Sequence, residues 1–356
     1  MIRVLVAEDS LTVRELLVAI LESDPEFRVV GQAKNGLEAV ELAKELRPDL
    51  ITMDIHMPMM DGFAATMEIM VAAPAPIIIV SSSSSGREVE LSLNALRAGA
   101  LMVVPKPDDP GSPLFNGRQG QFLAMAKAMA DVRVVRRWAR SVARAHGPAS
   151  ELGRRRKAGA VRLVAVAAST GGPAALQRLL SDLPADFPSP ILVVQHIAEG
   201  FVDGLAEWLG SGCGLRVKVA ADGDPLAPRT VFLAPDGLHL AVGVGRRVAV
   251  VDASPVGGFR PSASFLFESA AARYGPEAGA VVLTGMGCDG AEGLRAVRAA
   301  GGYVIAQDAA SSVVNGMPQA AVDSGVVDAV LPLEGIAERL VTLVRAAPTP
   351  PADEGP

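Results

Sequence analysis

Residues 161–173 read Val-Arg-Leu-Val-Ala-Val-Ala-Ala-Ser-Thr-Gly-Gly-Pro, and this stretch decides the fold of the C-terminal half. Val161–Val166 is an almost continuously apolar run, which is typical of a strand buried on both faces of a parallel sheet. The small residues that follow allow a sharp turn, and Pro173 suits the first turn of a helix. Ser169 is therefore predicted at a helix N-terminus, where free N–H groups and the helix dipole favour negative charge.

The same alternation of apolar runs and helical patterns continues on both sides of this stretch. Further strands of the C-terminal half are predicted at Ile191–Val194, Thr230–Ala234, Val248–Val251, Ala280–Leu283 and Gly302–Ala306. Five strands are predicted near the N-terminus, at Ile2–Val6, Arg28–Gly31, Leu50–Met53, Ile77–Val80 and Leu101–Val104. Apolar strands that alternate with helices predict two doubly wound α/β domains with mostly parallel sheets.

Breaker-rich and charged stretches indicate where these domains end. Residues 105–113 form a turn cluster rich in Pro and Asp, and a helix with an arginine-rich later part is predicted from about Gln121 to Ala145. We expect a first domain over residues 1–110 and a linker with a basic helix over 111–158. A second domain is expected over 159–346 and a disordered tail over 347–356. The arginines form either a solvated helix face or a contact surface for an acidic partner or the other domain.

Composition excludes several classes of protein. The chain has 356 residues, of which 50% are hydrophobic, and a net charge of −6, which argues against a general nucleic-acid binder. Its 2 cysteines exclude a disulfide framework and a cysteine-rich zinc site. The short apolar run at the N-terminus is not a signal peptide, and no apolar stretch has the roughly 18 residues of a membrane span. We therefore expect a cytoplasmic protein without direct membrane insertion.

Polar residues follow the strands of the first domain where each strand ends. Glu8 and Asp9 follow the first strand, Asp54 ends the third, Ser81 follows the fourth and Lys106 follows the fifth. The C-terminal ends of parallel strands share one edge, so these side chains should converge, although any one of them alone is more simply a solvated loop residue. The carboxylates are suitable ligands for Mg²⁺. This set predicts phosphoryl transfer to Asp54, with Ser81 bonding a phosphoryl oxygen and Lys106 as counter-charge.

The second domain carries a candidate nucleophile. Ser169 fits three roles at its helix N-terminus: a helix cap, a phosphate-binding residue or a nucleophile beside oxyanion-binding N–H groups. His196 follows the strand Ile191–Val194, and Asp289 lies in the Gly-rich loop after the strand Ala280–Leu283. Three parallel strands would bring Ser169, His196 and Asp289 together as nucleophile, base and orienting acid.

Several alternatives remain open on the residues alone. His239 is a competing base, and Cys288 beside Asp289 is a weaker candidate for the nucleophile. The Gly-Lys-Ser/Thr of a nucleotide-binding P-loop and the Gly-x-Ser-x-Gly of α/β-hydrolases are both absent from the sequence. A DNA-binding regulator is disfavoured by the acidic charge balance.

The N-terminal residues resemble response-regulator receiver domains. The resemblance rests on Asp9, Asp54, Ser81, Lys106 and the segment Met-Pro-Met-Met-Asp-Gly at 57–62. It implies a flavodoxin-like five-stranded parallel sheet and phosphorylation of Asp54 by a histidine kinase. It also implies Mg²⁺ bound by Glu8, Asp9, Asp54 and the backbone carbonyl of His56.

The C-terminal half resembles the chemotaxis protein-glutamate methylesterases, the CheB family. The resemblance rests on Ala-Ser-Thr-Gly-Gly-Pro at 168–173, Gln-His at 195–196, Arg-Pro-Ser at 260–262 and Leu-Thr-Gly-Met-Gly-Cys-Asp-Gly-Ala at 283–291. It implies a catalytic triad of Ser169, His196 and Asp289.

The same resemblance links Thr170, Met286 and Arg260 to the oxyanion and substrate region. It implies hydrolysis of glutamate γ-methyl esters on the cytoplasmic helices of chemoreceptors, with release of methanol, deamidation of receptor glutamines and no cofactor for the ester step. The phosphodonor would then be the chemotaxis histidine kinase, and phosphorylation would activate the esterase.

Overall fold

The apolar runs of the N-terminal part form a parallel sheet. The structure is a computed structural model and describes residues 1–82, 86–107, 112, 115–132, 150–151 and 161–345. Within these residues the strands are β1 (Ile2–Ala7), β2 (Phe27–Ala33), β3 (Leu50–Asp54), β4 (Ile77–Ser81) and β5 (Met102–Pro105). They pair in parallel in the order β2-β1-β3-β4-β5, so the predicted flavodoxin-like sheet is confirmed.

Helices cover this sheet and position the ends of its strands. They are α1 (Leu11–Glu22), α2 (Gly36–Leu46), α3 (Gly62–Ala72), α4 (Gly86–Ala98) and α5 (Phe115–Ala130). Every residue of β3 and β4 is buried, which explains why both strands are apolar without alternation. A Cβ atom on Gly62 would lie 2.1 Å from the carbonyl oxygen of Asp54, so only glycine lets α3 begin this close to the end of β3.

The helix α5 packs on this sheet, although the sequence analysis places it in the linker. It contacts α1, β3 and β4, and it buries Phe122, Ala126 and Met129, which share one helical face. Lys127 Nζ lies 2.7 Å from carboxylate oxygens of both Asp24 and Glu26. Three predicted segments lie outside the described residues: the arginine-rich part of the helix, most of the linker and the tail. The domain boundaries stay predictions.

A larger sheet forms the core of the C-terminal part. In the described ranges its strands are β6 (Ser150–Glu151), β7 (Leu163–Ala168), β8 (Ile191–Gln195), β9 (Arg216–Val219), β10 (Thr230–Leu233), β13 (Ala278–Val282), β14 (Tyr303–Gln307) and β15 (Ala329–Leu331). Their order is β6-β15-β14-β13-β7-β8-β10-β9, and every neighbouring pair is parallel except β15 with β6. The predicted mostly parallel α/β fold is therefore confirmed. The predicted strand Val248–Val251 forms as β12, but it pairs with β11 (His239–Val242) in a separate antiparallel hairpin.

The order of the strands reverses at β7. The chain passes from β7 to β8 on one side and later returns to β13 on the other side of β7. Such a reversal of strand order opens a crevice beyond the strand ends, where ligands bind in open α/β sheets. The helices are α6 (Gly172–Asp182), α7 (Val202–Ser211), α8 (Ala263–Tyr274), α9 (Ala291–Ala299), α10 (Gly316–Asp323) and α11 (Leu333–Arg345). Among the residues described, no helix combines the length and apolarity needed to cross a membrane.

Candidate active site

Ser169 lies directly after β7, at the turn that leads into α6. Its N–H donates to the carbonyl of Thr284 at 3.1 Å, and its carbonyl accepts from the N–H of Gly172 at 2.8 Å. Gly171 has a φ of +75°, a conformation that favours glycine and turns the chain into α6. The half-buried Ser169 therefore stands at the N-terminus of α6, where the helix favours developing negative charge.

His196 and Asp289 come from two other strand ends and face each other. His196 follows β8, and Asp289 lies in the loop between β13 and α9. Nε2 of His196 is 3.1 Å from Oδ2 of Asp289, and the two side chains are 17% and 3% exposed. The ring of Phe259 stacks on the imidazole, with 4.8 Å between ring centroids and 10° between ring planes. Both ring nitrogens of His196 are buried. Within the described residues Nδ1 has no partner, and Nε2 is paired with Asp289 by distance but without full hydrogen-bond geometry.

The N-terminus of α8 holds the Asp289 carboxylate. Oδ1 accepts from the hydroxyl of Ser262 at 2.9 Å and from the N–H of Ser264 at 3.2 Å, and Oδ2 accepts from the N–H of Ala263 at 2.7 Å. Burial raises the pKa of Asp289, but His196, the N–H of Ala263 and the hydroxyl of Ser262 together outweigh it, so the pKa lies below its ordinary value of 3.8. Asp289 is thus ionised at neutral pH and fixed in orientation.

Gln195 connects the Ser169 and His196 segments. β7 and β8 pair with Ala168 opposite Gln195, and the N–H of His196 donates to the carbonyl of Ala168 at 3.0 Å. The side-chain amide of Gln195 donates to the carbonyls of both Ser169 and His196, each at 2.8 Å. The structure thus places Ser169, His196 and Asp289 at the C-terminal edge of the sheet, beside the end of β7.

The other residues predicted near the substrate have different surroundings. Thr170 is buried and Met286 is half-buried, and in the part of the chain that the structure describes their backbone N–H groups donate to no protein acceptor. Arg260 donates to Oδ1 of Asp252 at 3.0 Å. The Arg260 guanidinium is therefore engaged away from Asp289, while Thr170 and Met286 offer free backbone donors.

His239, the competing base, is fully buried and its ring is engaged on both sides. Nδ1 accepts from the N–H of Ser262 at 3.2 Å, and Nε2 lies 3.1 Å from the carbonyl oxygen of Ser254. A carbonyl can only accept, so Nε2 is the donor to Ser254, and the lone pair of Nδ1 is engaged by the N–H of Ser262. His239 therefore supports the loop before α8, and it does so beside the Ser262 that caps this helix.

Two features of the site escaped the sequence analysis. Gln195 is the single polar residue in the strand Ile191–Gln195, and a polar side chain at the end of an otherwise apolar strand is a signal that could have been used. Phe259 gives no such signal, because its contact with His196 depends on the path of an irregular loop.

A second cluster of charged residues lies at the C-terminal edge of the first sheet. Carboxylate oxygens of Glu8, Asp9 and Asp54 lie within 4.8 Å of one another. Lys106 Nζ lies 3.0 Å from Oε2 of Glu8 and 3.1 Å from Oδ2 of Asp54. Burial raises the pKa of Glu8 to about 7, with the charge of Asp54 as the second cause, despite the opposing effect of Lys106. Burial also raises the pKa of Asp54.

This cluster fits a divalent cation. Oε2 of Glu8 and Oδ2 of Asp54 are buried, and both face Lys106 Nζ as ion-pair partners without hydrogen-bond geometry. A single ammonium does not compensate three carboxylates, and Mg²⁺ prefers oxygen ligands of this kind. The side chain of His56 is 51% exposed and its Nε2 lies 4.0 Å from Oε2 of Glu88, so its ring does not join the carboxylate cluster.

Ser81 already has a hydrogen-bond partner at this edge. Its hydroxyl donates to Oε1 of Glu88 at 2.7 Å, inside the protein. The same carboxylate oxygen also accepts from the backbone N–H of Ser82 at 2.8 Å and from its hydroxyl at 2.7 Å. A phosphoryl group on Asp54 would have to compete with Glu88 for the Ser81 hydroxyl.

Fold and site together define a class: a receiver-type α/β domain joined to an α/β domain with a Ser-His-Asp site at its switch point. Comparison with known proteins agrees with this class. The family model described as response regulator receiver domain matches residues 4–112, and the one described as CheB methylesterase matches residues 164–340. The crystal structure of the Thermotoga maritima CheB methylesterase catalytic domain is similar with a TM-score of 0.51 at 39% identity, over 52% of this chain and 100% of that chain.

Relatives match this chain over almost its full length. Protein-glutamate methylesterase/protein-glutamine glutaminase 4 of Myxococcus xanthus is 51% identical over 97% of this chain and 98% of its own. Protein-glutamate methylesterase/protein-glutamine glutaminase 3 of Anaeromyxobacter dehalogenans is 53% identical over 97% of this chain and 100% of its own. The chain belongs to the protein-glutamate methylesterase/protein-glutamine glutaminase family, as the motifs in its sequence predict.

Proposed function

We propose that this protein hydrolyses glutamate γ-methyl esters on the cytoplasmic helices of chemoreceptors and releases methanol. By the same route it deamidates receptor glutamines, and both reactions serve adaptation in chemotaxis. The observation that carries the proposal is the His196–Asp289 pair, 3.1 Å apart, beside Ser169 at the end of β7. Family membership supplies the substrate class, and the geometry supplies the chemistry.

The first half of the reaction forms an acyl-enzyme. The Ser169 hydroxyl attacks the ester carbonyl, and its proton passes to His196. Because Nε2 faces Asp289, Nδ1 is the nitrogen that accepts this proton, the reverse of the assignment in the protease triad. Ionised Asp289 stabilises the imidazolium. The backbone N–H groups of Thr170 and Met286 donate to the oxyanion.

The second half restores the enzyme. Collapse of the tetrahedral intermediate transfers the proton from His196 to the leaving oxygen, and methanol departs. Water, deprotonated by His196, then attacks the acyl-Ser169 carbonyl and gives a free glutamate carboxyl group. With a glutamine substrate the leaving group is ammonia, and the remaining steps are the same. We assign this chemistry to residues 159–346.

The first domain, residues 1–110, receives the signal. A chemotaxis histidine kinase supplies the phosphoryl group, and Asp54 accepts it. Glu8, Asp9, Asp54 and the backbone carbonyl of His56 would hold Mg²⁺, which supplies compensation for the negative charge of the phosphoryl group. Lys106 holds the Asp54 carboxylate from the other side at 3.1 Å. Phosphorylation then raises the esterase activity of the second domain.

Methanol release from a methylated receptor tests this function directly. Wild type should release methanol, and acetyl phosphate should increase the rate. Ser169→Ala should abolish release, while Asp54→Asn should keep basal release and lose the response to acetyl phosphate. Full activity of Ser169→Ala would remove the proposed nucleophile.

A further inference from the structure

The backbone ladder between β7 and β8 ends at the N–H of His196 and does not include the carbonyls of Ser169 and His196. Its last rung is the bond from the His196 N–H to the Ala168 carbonyl at 3.0 Å. Beyond this rung, the carbonyls of Ser169 and His196 have no strand neighbour to pair with. The two N–H groups of the Gln195 amide occupy this place, with 2.8 Å to each carbonyl oxygen.

The amide is held in one orientation. Gln195 is 8% exposed, and its Oε1 lies where a Cβ atom on Gly172 would be only 2.0 Å away. The oxygen thus packs against the start of α6, and the nitrogen faces the two carbonyls. A rotated amide would set its oxygen against two carbonyl oxygens, which repel it. Within the described residues, this amide is the only donor to the His196 carbonyl.

We infer that Gln195 is a positioning residue that fixes the Ser169 segment relative to the His196 segment. Its amide donates to the backbone carbonyls of Ser169 and His196 and not to their side chains. Its two hydrogen bonds instead extend the pairing of β7 and β8 by one step, so the hydroxyl of Ser169 and the imidazole of His196 keep their separation. The reaction that this positioning serves is the one in the proposed function. The two hydrogen bonds of Gln195 are a matter of geometry alone.

The amide is the part of Gln195 that matters, and a second residue tests the same bridge. Gln195→Met keeps the length of the side chain and removes both donors. Gly172→Ala keeps Gln195 but places a Cβ atom 2.0 Å from Oε1, which displaces the amide, and 2.9 Å from the Cβ atom of Ala168. Gln177→Met, on the half-buried face of α6 and outside the site, is the matched control.

Two measurements separate positioning from packing. The first is kcat and KM for methanol release from methylated receptor. The second is the rate at which a fluorophosphonate labels Ser169, which needs no receptor. We expect Gln195→Met and Gly172→Ala to lower kcat and the labelling rate by roughly 10- to 100-fold, because small displacements of reacting groups cost this much. KM should stay within about twofold, and Gln177→Met should match wild type.

The rates are normalised to the folded fraction, measured by urea unfolding under the assay conditions. Wild-type labelling rates in both Gln195→Met and Gly172→Ala, after this correction, would overturn the inference. So would a loss confined to KM. Labelling of the wild type without methanol release would refute the proposed substrate, and the ratio of labelling rates would still decide the role of Gln195.

Discussion

Replacing Asp289 with asparagine tests the central pair of the proposed triad. The substitution preserves the shape of the side chain and removes its charge. Oδ1 of Asp289 serves Ser262 and Ser264, and Oδ2 serves Ala263 and faces Nε2 of His196. Asparagine has one acceptor oxygen, so it can satisfy only one of these two sides.

The structure sets the expected magnitude. If the amide oxygen keeps the two Oδ1 bonds, the amide nitrogen faces the N–H of Ala263, 2.7 Å away, as donor against donor. Losing a bond to a charged group costs about 1.5–3 kcal/mol, and an unsatisfied buried donor adds to it, so the free energy of unfolding should fall by about 2–4 kcal/mol. The amide nitrogen of the new asparagine would also donate toward Nε2 of His196. This favours the tautomer in which Nε2 is unprotonated and Nδ1 carries the proton. The base is then occupied, and kcat should fall by roughly 10⁴.

Methanol release and urea unfolding at pH 7 measure both effects. Asp252→Asn is the matched control, because Asp252 is 81% exposed and pairs with Arg260 in the nearby loop. The control should stay within about twofold of wild type in kcat. If Asp289→Asn retains kcat within tenfold of wild type, Asp289 does not set the protonation of His196 and the reasoning is refuted.

The pH dependence of stability gives an independent check on the same carboxylate. The pKa of Asp289 is lower in the folded protein than its ordinary value of 3.8, so folding favours the ionised form. Its contribution is therefore complete above the ordinary pKa and is lost as the pH falls through the lower, folded-state pKa. The difference in unfolding free energy between wild type and Asp289→Asn should be largest near pH 7 and should shrink below about pH 4. An unchanged difference at pH 3 would contradict the assignment.

Two further substitutions test the surroundings of the two sites. Glu88→Ala should increase the affinity for beryllofluoride with Mg²⁺ by about tenfold, because the Ser81 hydroxyl no longer has to break its 2.7 Å hydrogen bond to Glu88. An unchanged affinity in a titration would show that this hydrogen bond does not compete with the phosphoryl analogue. His239→Leu should lower the free energy of unfolding by about 2–4 kcal/mol in urea titrations, because it leaves the Ser262 N–H and the Ser254 carbonyl without their hydrogen-bond partner. Fluorophosphonate labelling of Ser169 per folded molecule should persist in His239→Leu, and its complete loss would mean that His239 acts in the reaction.

The sequence predicts the fold well where strands are buried on both faces. β3, β4, β7 and β8 are buried at every position, and their continuous apolar runs carry that information. The pattern does not predict β9, because its residues are partly exposed and charged, reading Arg-Val-Lys-Val. The strand Val248–Val251 was found, but pattern alone could not tell that it pairs in a separate hairpin.

The positions of the site residues follow from topology, and their contacts do not. A residue just after a parallel strand must lie at the C-terminal edge, which is how Ser169 and His196 can be placed from sequence. Side-chain direction and loop path decide the rest. The stack of Phe259 on His196 needs the course of an irregular loop, and the bridge made by Gln195 needs the orientation of an amide that no periodicity encodes.

The two sites also show why similar strand ends carry different chemistry. Both place buried carboxylates at the C-terminal edge of a parallel sheet, yet the pKa of Glu8 is raised to about 7 and the pKa of Asp289 is lowered. Burial raises both pKa values, so the difference lies in the partners. Glu8 shares one ammonium, that of Lys106, with Asp54, whereas Asp289 has three hydrogen-bond donors at the N-terminus of α8 and the imidazole of His196. The charge of the first site is left for a cation to balance, and the charge of the second is already fixed and directed at one nitrogen of a base.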